Sequence, residues 1–328
     1  MIFPFAFYAA AWLAGVAGCA LAMPIVAPWA AGKGLVDEPG ARKIHDRPIV
    51  LVGGLAVAIG IFAPLAIGAA IAPLLLSWFD AAPSAALLHG LSRRGWQIGA
   101  VLAGGVGMLT LGWIDDKVEL KPLPKFLGQA AVALLVAGSG IRVTLFVESE
   151  IFSYAATILW ILTVTNAFNF IDNMNGVCAG LGCIAAWFCA WAAAVEGQYL
   201  VALLAFLTCG ALAGFLPFNY PKARAFLGDA GSHLVGFLCA VLAILPNFYS
   251  AHRPNGLAVL SPLLILFVPL LDLVWVVSYR TAHKRPFYIG DTNHLAHKLN
   301  AAGLSRPRVA LALWALACLA AGAASFLF

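Results

Sequence analysis

The sequence predicts an all-α, polytopic membrane protein with about ten membrane-spanning helices, and three observations predict it. Hydrophobic residues make up 63% of the 328-residue chain and mean hydropathy is +0.95, whereas a globular domain is about 45–50% apolar. Runs of roughly 20 apolar residues recur from end to end, the length that crosses a bilayer core as helix. The basic residues are also one-sided. With spans at about 3–23, 51–76, 97–114, 126–142, 151–170, 177–195, 199–217, 231–247, 257–279 and 308–328, the 19 Lys and Arg sort by face. Only Arg93, Arg94, Arg142 and Arg253 fall on the face that would also hold both termini. The positive-inside rule makes the opposite loops, 24–50, 115–125, 171–176, 218–230 and 280–307, cytoplasmic. The net charge of +5 is then a topological feature, and no nucleic-acid partner is expected. The whole of residues 1–328 is expected to form one integral membrane domain, its first helix retained and not cleaved as a leader. Seven cysteines without a CxxC pair suit packing within apolar helices.

The stretch Leu111 to Gln129 organises the rest. It ends an apolar helix and sets Asp115, Asp116, Lys117, Glu119, Lys121 and Lys125 together in a chain with only 10% charged residues. Adjacent Asp115 and Asp116 point roughly 100° apart on a helix and so suit different partners. Pro122 and Pro124 are expected to stop that helix, with Lys125 opening the next. Carboxylates near lysines suit a divalent cation and phosphate oxygens, and they also suit a solvated loop of paired charges.

The remaining cytoplasmic loops add to the cluster in chain order. Arg42, Lys43 and His45 follow the Pro39-Gly40 turn, where basic side chains can bind substrate or anionic headgroups. The outward segment 77–96 reads as an interfacial loop. The fifth span ends in Asn166, Asn169, Asp172, Asn173 and Asn175, spaced so that one helix face can present the first members together. Gly228-Asp229-Ala230-Gly231-Ser232 precedes the eighth span. There Ser232 can cap the helix, and Asp229 suits a cation that in turn holds phosphates. Asp272 lies within the ninth span, where a charge costs about 2.5–3.5 kcal/mol on insertion scales and calls for a partner. The last loop brings Arg280, Lys284, Arg285, Asp291, His294 and His297, a set that suits a cationic phosphate clamp more than a zinc site.

These motifs, in this order, resemble the polyprenyl-phosphate N-acetylhexosamine-1-phosphate transferase family (glycosyltransferase family 4). DEPGARKIHDRPIVLVGG is similar to its first loop. DDKVELKPLPKFLGQ, NAFNFIDNMNG and FLGDAGS are similar to its acidic motifs, and PLLDLVWV with RPFYIGDTNHLAHKL to its ninth helix and histidine loop. The likeness covers about residues 35–300. Two positions depart from the pattern. Asn175 stands where many members carry a second acid, and Ala296 replaces one histidine of a His-x-His-His loop.

The resemblance implies transfer of a sugar-1-phosphate, expected to be an N-acetylhexosamine-1-phosphate, from a UDP-sugar to polyprenyl phosphate with release of UMP, for cell-envelope glycan synthesis. It implies Mg²⁺, with Mn²⁺ as a substitute, held by Asp229 and Asp116. Asp115, Asp116, Asp172, Lys125 and His294 are the expected catalytic residues. Asn169, Arg42, Lys43, His45, Arg285 and His297 are the expected substrate contacts. The expected partners are the donor, the lipid acceptor and the bilayer, with a homodimer admitted. The expected location is the bacterial inner membrane with the site on the cytoplasmic face. Two other classes compete. An intramembrane prenyltransferase would need paired Asp-rich motifs such as Asn-Asp-x-x-Asp, which the chain lacks. A transporter would place acids at mid-membrane, where only Asp272 is found.

Overall fold

The computed structural model describes residues 3–38, 47–76, 81–249 and 255–328. Helices dominate because every backbone N–H and C=O in a bilayer needs an internal partner. In chain order they are α1 (Phe3–Gly32), α2 (Gly53–Leu76), α3 (Ala81–Val118), α4 (Pro122–Gly138), α5 (Glu150–Ile171), α6 (Val177–Val195) and α7 (Tyr199–Asn219). They continue with α8 (Gly228–Leu242), α9 (Ser261–Ile265), α10 (Phe267–Ala282), α11 (Leu295–Ala301) and α12 (Arg306–Ala324). Among the described residues seven helices are long and apolar enough to cross a bilayer, and α4 and α8 are shorter apolar helices. The segment expected as the ninth span is broken, with Gly256–Ile265 and Phe267–Ala282 meeting at a 72° bend.

Several boundaries differ from expectation for local physical reasons. The first helix was expected to end before Pro24, but α1 carries Pro24 and Pro28 inside it, since neighbouring helices can compensate a lost backbone bond. Segment 77–96 was expected as a loop, yet α3 is already helical from Ala81, with Pro83 in its first turn where a missing N–H is harmless. Likewise Pro122 does not merely stop α3; it occupies the first turn of α4 after Lys121 in extended conformation. Helix α8 begins at Gly228, so Ser232 lies within it and is not its cap.

Helix α8 is the centre of the bundle. Every residue from Ala230 to Leu242 is buried, and α2, α3, α5 and α6 all pack against it. Helices α1, α2 and α7 form a second packed group. At the end of the bundle where α8 starts, three short strands form one sheet: β1 (Val36–Asp37), β2 (Ile49–Leu51) and β3 (Ala225–Phe226). β1 runs antiparallel to β2, and β2 parallel to β3 with Leu51 opposite Phe226. The sheet therefore fastens the first loop two residues before Gly228.

Candidate active site

Close approach of α3 to α8 builds the site. A Cβ at Gly112 would overlap the carbonyl of Asp229, so only glycine lets the last turn of α3 lie on the first turn of α8. That contact brings Asp116 to the α8 N-terminus. Asp116 Oδ1 accepts from the N–H of Asp229 at 2.7 Å, and Oδ2 from that of Ala230 at 3.0 Å. The two oxygens thus satisfy N–H groups that a helix start leaves unpaired, where the dipole also favours negative charge.

Asp115 turns to another partner, as its neighbouring position on the helix dictates. Its Oδ2 lies 2.6 Å from Lys125 Nζ, and its Oδ1 accepts from the N–H of Leu120 at 2.8 Å. The Lys125 ammonium also donates to Asp229 Oδ2 at 3.1 Å and to Asn169 Oδ1 at 3.2 Å. Asn169 closes the ring by donating to Asp229 Oδ1 at 2.9 Å and Ser232 Oγ at 3.0 Å. Four helices therefore meet on one cation: α3 through Asp115, α4 through Lys125, α5 through Asn169 and α8 through Asp229. Asp172, which ends α5, stands near this negative cluster. Burial, then the charges of Asp229 and Asp116, push its carboxyl up to about 8.

The acceptors are all oxygen, the chemistry a hard cation takes. Among the described residues, no three His, Cys, Asp or Glu side chains stand close enough to hold an ion by themselves. Such a set fits a cation held by one or two carboxylates and completed by phosphate oxygens and water, the usual mode of Mg²⁺.

The histidine loop forms a second group. His294 Nδ1 lies 2.7 Å from Asp272 Oδ2, and the N–H of Leu295 donates to Asp272 Oδ1 at 2.6 Å. The buried acid of the ninth span thus anchors the start of α11. His294 stands edge-on to Phe170, the neighbour of Asn169, and its ring is 6.2 Å from that of His297. No hydrogen bond joins His294 to the Lys125 cluster among the described residues. Arg280 corrects an expectation. It was grouped with the clamp, but it is buried, donates to Asp291 and to the carbonyl of Phe287, and lies over the Phe170 ring. It braces the loop from inside. Partial burial works against the charge on Asp291, but Arg280 and the Asn293 N–H outweigh it and bring its carboxyl down to about 2. Arg285 is exposed on the same loop. Arg42, Lys43 and His45 lie outside the described residues.

Asn219, which sequence reasoning passed over, ties two motifs together. Its Oδ1 accepts from the N–H of Gly176 at 2.6 Å and its Nδ2 donates to the Ala225 carbonyl at 2.9 Å. It joins the turn after Asp172 to the strand before Asp229. The only hint in the sequence is an asparagine closing an apolar helix.

Comparison with known proteins assigns the family. Residues 98–247, which contain Asp115 to Asp229, match glycosyl transferase family 4. The chain is 33% identical over 325 residues to the decaprenyl-phosphate N-acetylglucosaminephosphotransferase of Mycobacterium tuberculosis, covering 90% of this chain and 76% of that one. It is 32% identical over 323 residues to the protein of the same name from Mycobacterium leprae, covering 89% and 77%. It is 27% identical over 311 residues to the undecaprenyl-phosphate alpha-N-acetylglucosaminyl 1-phosphate transferase of Escherichia coli O157:H7, covering 88% and 75%. The chain belongs to the polyprenyl-phosphate sugar-1-phosphate transferases of glycosyl transferase family 4.

Proposed function

We propose that this enzyme transfers N-acetylglucosamine-1-phosphate from UDP-N-acetylglucosamine to a polyprenyl phosphate, releasing UMP on the cytoplasmic face of a bacterial inner membrane. The observation that carries the reading is the single ammonium of Lys125 shared by Asp115, Asp229 and Asn169 at the mouth of an apolar bundle. Relatives named for this reaction over most of the chain support the choice of acceptor and sugar.

The reaction brings two anions together, and unit charges 4 Å apart repel by about 4 kcal/mol at an effective dielectric near 20. An oxygen of the acceptor phosphate forms a bond to the β-phosphorus of the donor. The bond from that phosphorus to the bridging oxygen breaks, and UMP leaves with it. Lys125 offers a cation to the phosphate oxygens, while Asp115 holds that cation in place. Asn169 and Asp172 orient the donor, and His294, steadied by Asp272, presents Nε2 to its diphosphate. Asp229 and Asp116 are the residues that would hold Mg²⁺, or Mn²⁺ in its place, and the bound ion would neutralise charge on the diphosphate. Asp116 retains free lone pairs for this beyond those facing the two N–H groups. A phosphate monoester is already largely ionised at neutral pH, so proton abstraction contributes little. Exposed apolar helix faces leave room for a homodimer, which sizing in detergent tests.

The test is UMP release by purified enzyme with undecaprenyl phosphate and UDP-GlcNAc, UDP-GalNAc or UDP-MurNAc-pentapeptide, with and without Mg²⁺. Release with UDP-GlcNAc alone, abolished by chelation, is expected. Preference for another sugar overturns the donor, and no release with any of them overturns the reading.

A further inference from the structure

Helix α4 is an unusual carrier for a lysine that must be placed accurately. Its buried residues are Gln129, Ala133, Val136 and Ala137, while Leu123, Leu127 and Leu134 are exposed. A face of mostly small side chains lets a helix approach closely; its branched Val132 seats against Gly104 and Gly107 of α3, which leaves its height on α5 to other contacts. One polar group interrupts that face. Gln129 is fully buried, and Asn166 of α5 is nearly so. Asn166 Nδ2 donates to Gln129 Oε1 at 2.7 Å and to the Leu162 carbonyl at 2.8 Å. Gln129 Nε2 faces Asn166 Oδ1 at 3.5 Å. One turn nearer the site the same two helices meet again, through Lys125 and Asn169. The two contacts form a ladder with rungs at 125–169 and 129–166, and only the lower rung lies away from the reacting groups.

We propose that Gln129 and Asn166 are positioning residues for the transfer: their buried amide pair fixes the height of α4 on α5, and thereby the place of the Lys125 ammonium. The proposal rests on the reading of Lys125 as part of the reacting site. An amide pair resists sliding because a shift along the axis leaves both groups unpaired in an apolar interior. A slip of one residue moves α4 by about 1.5 Å, more than the contacts of Lys125 with Asp115 and Asp229 tolerate. A misplacement of about 1 Å can slow a reaction by about a hundredfold.

A substitution series separates positioning from packing. Gln129→Leu and Asn166→Leu each leave a buried amide without its partner, so both should lower the unfolding temperature and the rate. The double variant Gln129→Leu/Asn166→Leu removes both polar groups and should regain the unfolding temperature. It should still turn over at least about tenfold slower than wild type, since a Leu pair does not define height. The exchange Gln129→Asn/Asn166→Gln restores an amide pair and should recover the rate lost in Gln129→Asn and Asn166→Gln alone. A Leu–Leu variant with wild-type turnover, or an exchange as slow as its single parents, overturns the proposal. Rates are compared with wild type using whichever nucleotide sugar it accepts. A wild type silent with all of them overturns the functional reading first, whereas an active wild type matched by the Leu–Leu variant overturns only the positioning role.

Discussion

In the proposed mechanism, single residues divide between groups that face substrate and groups that hold those groups. Asp229 accepts from Lys125 and Asn169 on its two oxygens, and Asp229→Asn removes the charge paired with Lys125 and leaves one acceptor oxygen for the two donors. Turnover should fall by on the order of a hundredfold or more while the protein still inserts and purifies. Near-normal rates in saturating Mg²⁺ would exclude Asp229 as a ligand. The histidines should separate in the same way. His294→Ala should lower kcat/KM by roughly ten- to a hundredfold, the worth of a charge-assisted contact, and His297→Ala by much less. Because Asp272 holds His294, Asp272→Asn combined with His294→Ala should be little worse than His294→Ala alone; additive losses would give Asp272 an independent role. Asp172 yields a pH dependence. Its carboxyl is raised from near 3.9 in an unfolded chain to about 8. Between those values the folded state holds a proton that the unfolded chain has released, so stability falls as pH rises through that window. Unfolding temperatures in detergent without added metal should drop from pH 5 to pH 8 in wild type and change less in Asp172→Asn. Equal slopes would show that Asp172 does not carry this titration.

At the scale of elements, the site depends on how α3 meets α8. Gly112→Ala forces a methyl group onto the backbone of Asp229, and overpacking of this kind typically costs about 1–3 kcal/mol. Activity should suffer more than stability, because any shift of α3 carries Asp115 and Asp116 away together. A Gly112→Ala enzyme with full turnover would mean that this approach is not needed. The acids of the cluster were legible in the sequence, since Asp115, Asp116, Asp172 and Asp229 interrupt apolar runs where charge is otherwise scarce. Their division of labour was legible only in part. The 100° step between neighbours implied different partners for Asp115 and Asp116, but no pattern reveals that Asp116 meets backbone N–H groups more than a hundred positions away. Arg280 was misread for a related reason. Its basic neighbours suggest a solvent-facing clamp, and the acid that draws it inward, Asp291, is revealed only by the fold of the loop. Helix ends at prolines were also misplaced, because Pro24 and Pro122 are tolerated for reasons that lie in packing and in the first turn.

For the whole molecule, periodicity and apolar length gave the architecture, and they overstated its regularity. Helices α4 and α8 and the bent α9–α10 pair are spans by hydropathy but not by straight length. The proposed topology predicts that single cysteines near Lys121, Arg224 or Lys284 resist impermeant labels from outside intact cells, while those near Arg93 are reached. Outside labelling near Lys121 would place the site away from cytoplasmic nucleotide sugars. The brevity of α8 has its own consequence for how the two substrates arrive. Its 15 residues span about 22 Å, against a hydrocarbon core of about 30 Å, and Asp229 sits in its first turn. If the far end of α8 reaches the opposite headgroup level, the reacting groups lie in a dip beneath the level of the surrounding headgroups. A long-chain lipid phosphate can enter that dip sideways at its resting depth, without being lifted toward water, whereas the proposed nucleotide-sugar donor must descend. Thickening the surrounding lipid should deepen the dip, so KM for the nucleotide sugar should rise with acyl-chain length in reconstituted vesicles while KM for the lipid substrate stays nearly constant.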